Sequence, residues 1–531
     1  MLTIATTAEL AAVAAAMGAE EVGGLTERER ALLSGAAMSL TPSQVRQVRM
    51  KILAGKDPLG EAYMRLRSAE ERRPLGQTYT PPAIVRAMMR WAAKNGEPVR
   101  VIDPGAGSGR FVVAAGRAFP LARLVAADID PLATLMTRAA IAAAGMADRA
   151  SVVLGDYRAM DPGRVDGPTL FVGNPPYVRH HLITPEWKRW LLETARRHDV
   201  EASGLAGLHA HFFLATAEHA RQGDYGVFIT SAEWLDVNYG KLIRQLLLAE
   251  LGGVGVHVIE PDALPFADAA TTGAITAFKV GAEPASMRLR RVKTAADLGS
   301  LSRGRVVKRE RLVEAHRWTP LTRTRGRMPA GYIELGELCR VHRGAVTGSN
   351  RVWIVGRDAT LPAEYLTPTV TKAHELFAAG ASLDDASRLR RVVDLPVDLD
   401  EIEDPEARRQ LDVFLRAAKM AGVHEGYVAS QRKAWWSVGL RAPAPILATY
   451  MARRPPAFVR NPAGARHINI AHGLYPRQEM SDALLDKLAQ TLSTSITLEQ
   501  GRTYAGGLTK FEPREMERLP VPQPDMLLAN V

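Results

Sequence analysis

The sequence predicts an α/β fold in which helices cover both faces of a doubly wound parallel sheet. Four apolar, strand-like runs are each followed by a polar side chain, at Asp103, Asp128, Asp156 and Asn174. Carboxyl ends of parallel strands meet at one edge of such a sheet, and ligands bind at that edge. Acids at strand ends also serve as ordinary helix caps. Four polar ends in succession nevertheless favour one shared ligand site.

The first predicted strand comprises residues 99–102, and the segment Asp103-Pro-Gly-Ala-Gly-Ser-Gly109 follows it, before a helix-like stretch at 110–118. Glycine tolerates positive φ and lets the backbone approach a ligand closely. Gly105, Gly107 and Gly109 are therefore candidate cofactor-binding residues. The spacing alone is compatible with NAD, with S-adenosyl-L-methionine or with no ligand.

The second and third strands, at 124–127 and 150–154, end near two further acids. Asp128 comes 25 residues after Asp103, where ribose hydroxyls are usually held in this type of fold. The third strand is followed by Gly155 and Asp156. The sequence thus places candidate acceptors for a nucleotide-like cofactor at consecutive strand ends.

The fourth strand, at 169–173, leads into Asn174-Pro175-Pro176-Tyr177. Two prolines prevent the strand from continuing and prevent a helix from starting, which predicts a stiff loop. The Asn side-chain oxygen and a proline-flanked carbonyl can accept hydrogen bonds from a planar NH2 group, and the Tyr ring can stack on its carrier. The same four residues would also suit an ordinary turn.

Taken together, these motifs resemble those of the gamma-class DNA adenine-N6 methyltransferases, the TaqI-like family, in the order in which that family carries them. The resemblance covers roughly residues 40–525. It is carried by the segments at 76–82, 103–109, 127–131, 155–156, 173–177, 226–231, 264–274, 346–350, 502–513 and 519–522.

The resemblance implies a class I methyltransferase domain of Rossmann-like architecture with S-adenosyl-L-methionine as cofactor. Thr80 would contact the carboxylate end of the cofactor, the 105–109 loop would pass beside its methionine, and Asp128 would hold its ribose. Ile129 would pack on its adenine, and Asp156 would bind the adenine amino group. The implied cofactor-binding residues are Thr80, Asp103, Gly105, Gly107, Gly109, Asp128, Ile129 and Asp156.

For catalysis, the resemblance implies an adenine flipped out of the duplex, whose N6 donates to Asn174 and to the Pro175 carbonyl. Tyr177 and Phe266 would sandwich the base, and Pro176 would complete the loop. The methyl group would move directly, so catalysis would rest on positioning and electrostatics without a covalent enzyme intermediate or a metal.

A chain of 531 residues exceeds a single hydrophobic core. We expect a helical arm at 1–75, with Ser39, Thr41 and Ser43 as candidate caps. The catalytic domain would follow at 76–330, its sheet finishing with antiparallel strands at 255–259 and 274–278. A mixed α/β target-recognition domain would occupy 331–531.

The formal net charge of +11 suits a polyanionic partner. Nine basic and only two acidic residues fall between Arg288 and Arg311. This segment is either a solvated face or a set of phosphate contacts to double-stranded DNA, and its position near the catalytic motifs favours the latter. The candidate contacts are Arg303, Arg305, Lys308 and Arg309.

Cys339 is the single cysteine of the chain. It excludes internal disulfides, suits a reducing cytoplasm, and argues against cytosine-C5 methylation, which uses a cysteine nucleophile. We expect neither a signal peptide nor a spanning helix in the N-terminal residues. His180-His181 and His209-x-His211 lack a third ligand with metal-site spacing, so no metal is expected.

Trp435-Trp436 could stack on nucleic acid or pack in a core.

Three alternatives share part of this evidence. An RNA or protein-glutamine methyltransferase could use the same loop, although a C-terminal domain of roughly 200 residues is large for such an enzyme. A non-catalytic specificity protein would be expected to have decayed motifs. Cytosine-N4 methylation uses related chemistry, and Asn rather than Ser at position 174 favours adenine. A separately encoded restriction endonuclease or defence-system subunits are possible partners, and the DNA recognition sequence is not predicted.

Overall fold

The computed structural model describes residues 4–36, 38–78, 80–260, 272–322, 328–504 and 508–529. The described residues form two compact units, the first comprising residues up to 322 and the second residues from 328 onwards. The helical arm predicted at 1–75 is largely helical over its described residues, and these belong to the first unit.

The first unit alternates helices and strands along most of its length. Its strands are β1 Arg100–Pro104, β2 Arg123–Asp128, β3 Ala150–Leu154, β4 Thr169–Gly173, β5 Tyr225–Ser231, β6 Gly253–Ile259, β7 Gly273–Lys279, β8 Ser286–Val292 and β9 Arg305–Lys308. Its helices are α1 Thr7–Ala16, α2 Glu27–Ser34, α3 Pro42–Leu53, α4 Pro58–Leu66, α5 Ala69–Arg72, α6 Pro82–Asn95, α7 Arg110–Ala118, α8 Pro131–Ala143, α9 Pro185–Arg197, α10 Leu208–His219, α11 Lys241–Leu248 and α12 Arg309–Glu314.

In the described residues these strands form one nine-stranded sheet in the order β3-β2-β1-β4-β5-β7-β6-β8-β9. Strands β3, β2, β1, β4 and β5 are parallel, whereas β7 is antiparallel to both β5 and β6. The predicted doubly wound fold and its antiparallel finish are therefore confirmed. The strand order reverses between β1 and β4, and such a switch point is where open α/β sheets bind ligands.

Helices cover both faces of the sheet, which explains why β1, β4 and β5 are buried along their whole length. Successive strand residues point to opposite faces. Leu170 and Val172 pack with α6 and α7, whereas Phe171 packs with α9, α10 and α11. This alternation holds both helical layers in place around the sheet.

The edge formed by β8 and β9 contains the basic segment that the sequence singled out. Along β8, Met287, Leu289 and Val292 are buried, whereas Arg288 is exposed. The burial pattern shows that β8 is a strand with one largely apolar face, next to the edge strand β9, rather than an irregular basic loop.

The N-terminal helices pack on α8 and are anchored there by Arg138. The Arg138 guanidinium is fully buried and pairs with Glu29 Oε1 at 2.8 Å. It also donates to the carbonyl oxygens of Val22, Gly23, Gly24 and Val152. A buried charge requires such complete pairing, so this contact specifies how the arm docks. Of the three candidate caps, Thr41 is the one that caps a helix, α3.

The second unit mixes short strands with helices. Its strands are β10 Tyr332–Glu334, β11 Cys339–Arg343, β12 Ile354–Val355, β13 Leu366–Val370, β14 Arg390–Val393, β15 Ile446–Thr449, β16 Met451–Ala452, β17 Phe458–Arg460, β18 Arg466–His467, β19 Ala471–Pro476, β20 Arg502–Tyr504, β21 Leu508–Lys510 and β22 Pro520–Pro522. Its helices are α13 Leu335–Leu338, α14 Asn350–Trp353, α15 Ala373–Ala379, α16 Pro405–Met420, α17 Tyr427–Ser430, α18 Asp482–Ser495, α19 Pro513–Met516 and α20 Pro524–Ala529.

Two four-stranded sheets, β11-β19-β15-β17 and β12-β14-β13-β18, are the largest in the described part of this unit. Trp435 and Trp436 pack against the core that contains Trp353, and Trp436 Nε1 donates to the Pro396 carbonyl. Core packing is thus the role that the structure shows for this pair. Across the described residues, no helix combines the length and apolar character needed to cross a membrane.

Candidate active site

A cavity of about 360 Å³ opens at the carboxyl ends of β1 to β4 in the first unit. Most of the predicted site residues line it together, namely Thr80, Gly105, Gly107, Asp128, Ile129, Asp156, Asn174 and Pro176. Asp103, Gly109, Pro175 and Tyr177 are not among its lining residues, although they belong to the same strand ends. Phe266 lies outside the described residues.

The glycine loop between β1 and α7 is held in one conformation. Gly105, Gly107 and Gly109 have φ values of 87°, 60° and 81°, a region that only glycine adopts readily. A Cβ on Gly109 would lie 3.1 Å from the Thr137 Cα. The Gly107 N–H donates to Asp128 Oδ2 at 2.9 Å, which ties the loop to the end of β2.

Asp103 and Asp128 are carboxyls at the ends of β1 and β2. Burial raises the pKa of Asp103 to about 8 and that of Asp128 to about 6. Backbone N–H groups oppose the shift, from Val112 at Asp103 and from Asp130 and Gly107 at Asp128. The second oxygen of Asp103 is buried and has no hydrogen-bond partner among the described residues.

Asp156, at the end of β3, is held by an arginine that the sequence did not single out. Arg158 donates Nε to Asp156 Oδ1 at 2.9 Å and Nη2 to Oδ2 at 2.6 Å. The guanidinium also lies 3.7 Å from the centre of the Trp187 ring, and Nη1 lies 3.2 Å from His211 Nδ1. Because both carboxylate oxygens are fixed, Asp156 presents its remaining lone pairs to the cavity in a set direction.

The nitrogen of the Asn174 side-chain amide is hydrogen-bonded to the protein, whereas the oxygen is not hydrogen-bonded to any described residue. Its Nδ2 donates to Thr80 Oγ1 at 3.0 Å and to the Thr78 carbonyl at 3.3 Å. A carbonyl can only accept, so this contact identifies the nitrogen side of the amide. Asn174 Oδ1 is buried without a partner among the described residues. A buried acceptor of this kind is costly, and a ligand donor would satisfy it.

The loop after Asn174 packs on the segment that precedes α6. The Tyr177 N–H donates to the Gly76 carbonyl at 3.3 Å. Gly76 has φ 64°, and a Cβ there would lie 2.5 Å from the Tyr177 nitrogen. Burial raises the pKa of Tyr177, whose hydroxyl has no partner in the described part of the chain. The motif around Gly76 therefore supports the predicted catalytic loop directly.

The N-terminal arm also lines the cavity, which the sequence did not predict. Asp57, Gly60, Tyr63 and Met64, at or near helix α4, are part of the wall. Tyr63 donates its hydroxyl hydrogen to Asp130 Oδ2 at 2.8 Å. The Asp-Pro start of α4 indicates a helix N-terminus, but no local pattern indicates that this helix would reach a cofactor site.

The predicted DNA contacts lie at the β8–β9 edge and not in the cavity. Arg303 and Lys308 are exposed, and Arg305 and Arg309 are half-buried. Arg305 and Lys308 line a shallow depression together with Arg311 and two glutamates. Two other members of the basic cluster serve the fold, because Arg291 pairs with Glu260 and Arg290 donates to the carbonyls of Asp297 and Ser300.

His209 and His211 are buried packing residues on α10, whereas His180 and His181 lie in a short 3-10 turn before α9 and are not buried. Burial lowers the pKa of His209 to about 4 and that of His211 to about 3, so both are neutral at physiological pH. Within the described residues, no group of three or more His, Cys, Asp and Glu side chains could hold a metal ion.

Two family models match the chain. Residues 325–530 match the C-terminal domain of the Type II methyltransferase M.Eco57I, and residues 169–251 match the Eco57I restriction-modification methylase. The chain is 48% identical over 538 residues to the Type II methyltransferase M.XamI of Xanthomonas campestris pv. amaranthicola, covering 99% of this chain and 100% of the relative. It belongs to the Type II restriction-modification methyltransferase family.

A more distant relative of this Type II methyltransferase is M.AccI of Acinetobacter calcoaceticus, 22% identical, with 86% of this chain and 87% of the relative covered. Among solved structures, the Type IIL restriction-modification enzyme MmeI in complex with DNA superposes with a TM-score of 0.55. It is 14% identical, with 91% of this chain and 75% of that chain covered, so it supports the fold alone.

The chain is therefore a DNA methyltransferase of a restriction-modification system, and S-adenosylmethionine is its cofactor. The cavity suits that cofactor, since Asp128 and Asp156 offer acceptors to ribose hydroxyls and an adenine amino group. Ile129, which is predicted to pack on the adenine of the cofactor, lines the cavity with an apolar side chain that is 47% exposed. Family membership disfavours the RNA, protein-glutamine and non-catalytic alternatives.

Proposed function

We propose that the protein methylates N6 of adenine within a specific sequence of double-stranded DNA. The observation that carries the proposal is the oriented amide of Asn174, whose buried Oδ1 has no partner among the described residues and which lines the cavity. An acceptor held in this way is suited to an exocyclic amine, which brings two N–H donors and one lone pair.

In this mechanism Asn174 Oδ1 and the Pro175 carbonyl each accept one N–H of the target amine. The two hydrogen bonds direct the nitrogen lone pair away from the ring and towards the cofactor. When bound, S-adenosylmethionine supplies an electrophilic methyl group on its sulfur. Thr78 and Thr80 hold the Asn174 amide before the substrate arrives, so little reorganisation remains for the transition state.

The target amine must leave the duplex to reach Asn174, which costs a few kcal/mol of unstacking. The Tyr177 ring follows directly on the proline pair and would recover part of that cost by stacking on the base. Phe266, outside the described residues, remains the proposed second aromatic face. All of these roles are inferred from the resemblance together with the loop geometry.

We further propose that the second unit selects the DNA sequence and that the β8–β9 edge contacts phosphates. The predicted domain boundaries, with catalysis at 76–330 and recognition at 331–531, are part of this proposal. A separately encoded restriction endonuclease would cleave the same DNA sequence when it is unmethylated.

The test is to methylate plasmid DNA with the purified protein and labelled cofactor, digest the DNA and identify the modified nucleoside by mass spectrometry. We expect N6-methyladenine. N4-methylcytosine as the product would contradict the proposal. Cytosine is the alternative that this experiment must separate, because the same pair of acceptors also suits its exocyclic amine. Long-read sequencing of the same DNA would give the recognition sequence.

A further inference from the structure

Asp57 lies where the arm meets the glycine loop of the cofactor site. Its Oδ1 accepts a hydrogen bond from the Gly60 N–H at 2.8 Å, the usual contact of a helix N-cap. Its Oδ2 accepts from Ser108 Oγ at 2.5 Å and from Arg110 Nη2 at 3.0 Å. Asp57 therefore joins helix α4 to the residues that begin α7.

A helix cap alone does not account for this arrangement. Capping uses only Oδ1, whereas Oδ2 is directed at the loop between β1 and α7. The Asp57 side chain is 10% exposed, and it lines the cavity beside Gly60 and Ser108 as well as a second cavity beside Arg86 and Arg117. Its ion pair with Arg110 offsets part of the cost of burying this charge.

The cofactor offers a matching group at this end of the cavity. Asp128 and Asp156, after β2 and β3, occupy the end suited to ribose and adenine, whereas Asp57 lies over the loop that follows β1. The amino-acid part of S-adenosylmethionine carries an α-ammonium and an α-carboxylate. Arg110 donates to both Asp57 and the Thr80 carbonyl, so an anionic and a cationic side chain stand together here.

We propose that Asp57 binds the α-ammonium group of the cofactor, and that helix α4 is thus a functional part of the cofactor site. Arg110 and Ser108 hold the Asp57 carboxylate in position for this contact. This role concerns cofactor binding only, so it stands independently of whether adenine or cytosine is the target.

The experiment compares two ligands that differ at the amino-acid end. S-adenosylhomocysteine carries the α-ammonium, whereas methylthioadenosine has the same nucleoside and sulfur but no amino acid. In Asp57→Asn, which keeps a side chain competent for capping, we expect the Kd for S-adenosylhomocysteine to rise about tenfold or more. The Kd for methylthioadenosine should stay unchanged.

The ratio of the two Kd values separates this role from a structural one. A general loosening of α4 would weaken both ligands by a similar factor, and that result would overturn the proposal, as would no change for either ligand. Asp57→Ser provides a second neutral cap if Asp57→Asn folds poorly. Asp404→Asn is the matched control, because Asp404 also caps a helix that begins with proline, α16 in the second unit. It should leave both Kd values unchanged.

Discussion

Thr80 Oγ1 accepts a hydrogen bond from Asn174 Nδ2 at 3.0 Å. The side chain predicted to serve the carboxylate end of the cofactor thus orients the side chain predicted to serve the target amine. The predicted cofactor site and the predicted target site thus share one hydrogen bond, and a change on one side of it is expected to affect the other.

Asn174→Ala removes the oriented acceptor from the cavity. We expect the rate of methyl transfer to fall about a hundredfold to a thousandfold, the range seen when one preorganised hydrogen-bonding group is lost. Affinities for cofactor and DNA should be largely retained, because phosphate contacts supply most of the affinity for DNA and Asn174 Oδ1 contacts only the target amine. Single-turnover transfer from labelled cofactor, together with calorimetric titrations, measures both quantities. A wild-type rate in the variant would refute the proposed mechanism.

Thr80→Val removes the acceptor that orients Asn174 but keeps the shape of the side chain. The Asn174 amide would lose one of its two anchors, so we expect a fall of about fivefold in the rate, consistent with about 1 kcal/mol for one hydrogen bond. Thr80→Ser keeps the hydroxyl and should restore most of the activity. Equal rates in the Val and Ser variants would show that the hydroxyl does not orient the amide.

Asp128→Ala removes the acceptor that the resemblance assigns to the cofactor ribose, and it also frees the Gly107 N–H. We expect weaker binding of S-adenosylmethionine and unchanged affinity for DNA, because the acid lies within the cofactor cavity. Calorimetric titration with each ligand measures the two affinities. Equal losses for both ligands would place Asp128 outside the cofactor site.

Asp103 should make the stability of the cofactor-free protein depend on pH. Burial raises its pKa from 3.8 to about 8 in the folded state, so folded protein holds a proton that unfolded protein has released. Stability then declines as pH rises through this window. Asp103→Asn, which is neutral throughout, should show a smaller decline in Tm between about pH 5.5 and about pH 8.5. A decline equal to that of the wild type would mean that other groups cause it.

Substitution of Arg303 and Arg305 by Ala tests the basic edge. If both bind phosphates, affinity for cognate and random duplex should fall by similar factors, and the slope of log affinity against log salt should decrease by about 0.9 for each phosphate that is no longer neutralised. The methylated sequence should stay the same. Arg28 and Arg30, exposed on α2, offer a control pair with the same change in charge. A salt slope unchanged by the Arg303 and Arg305 substitutions, or changed equally by the control pair, would argue against the assignment.

The sheet and its ligand edge could be predicted from sequence because they depend on local patterns. Strands β3 and β4 begin and end at the predicted residues, and the predicted glycines have the positive φ that their spacing suggested. The polar side chains at the strand ends lie around one cavity because parallel strands bring their carboxyl ends together. The parallel topology itself determines which strand ends are neighbours, so these contacts did not have to be predicted one by one.

Contacts between elements that are distant in sequence could not be predicted in this way. Arg158 follows Asp156 by two residues, yet the conformation that folds its guanidinium back onto the carboxylate and over Trp187 depends on where α9 packs. The place of Asp57 at the cofactor cavity likewise depends on the docking of the arm on α8. The basic segment was predicted from composition, which does not reveal that Arg290 and Arg291 are used within the fold.

The anchoring of the arm by Arg138 has a thermodynamic consequence. The cofactor cavity is assembled from α4, which precedes the sheet, and from loops that follow its strands, so it is complete only while the arm is docked. Any ligand that binds only the docked form must stabilise that form by linkage. Occupancy of the cavity should therefore be detectable far from it, as slower amide hydrogen exchange in helices α1 and α2, neither of which lines the cavity. The rate of amide hydrogen exchange in the N-terminal helices would therefore show whether the cofactor is bound.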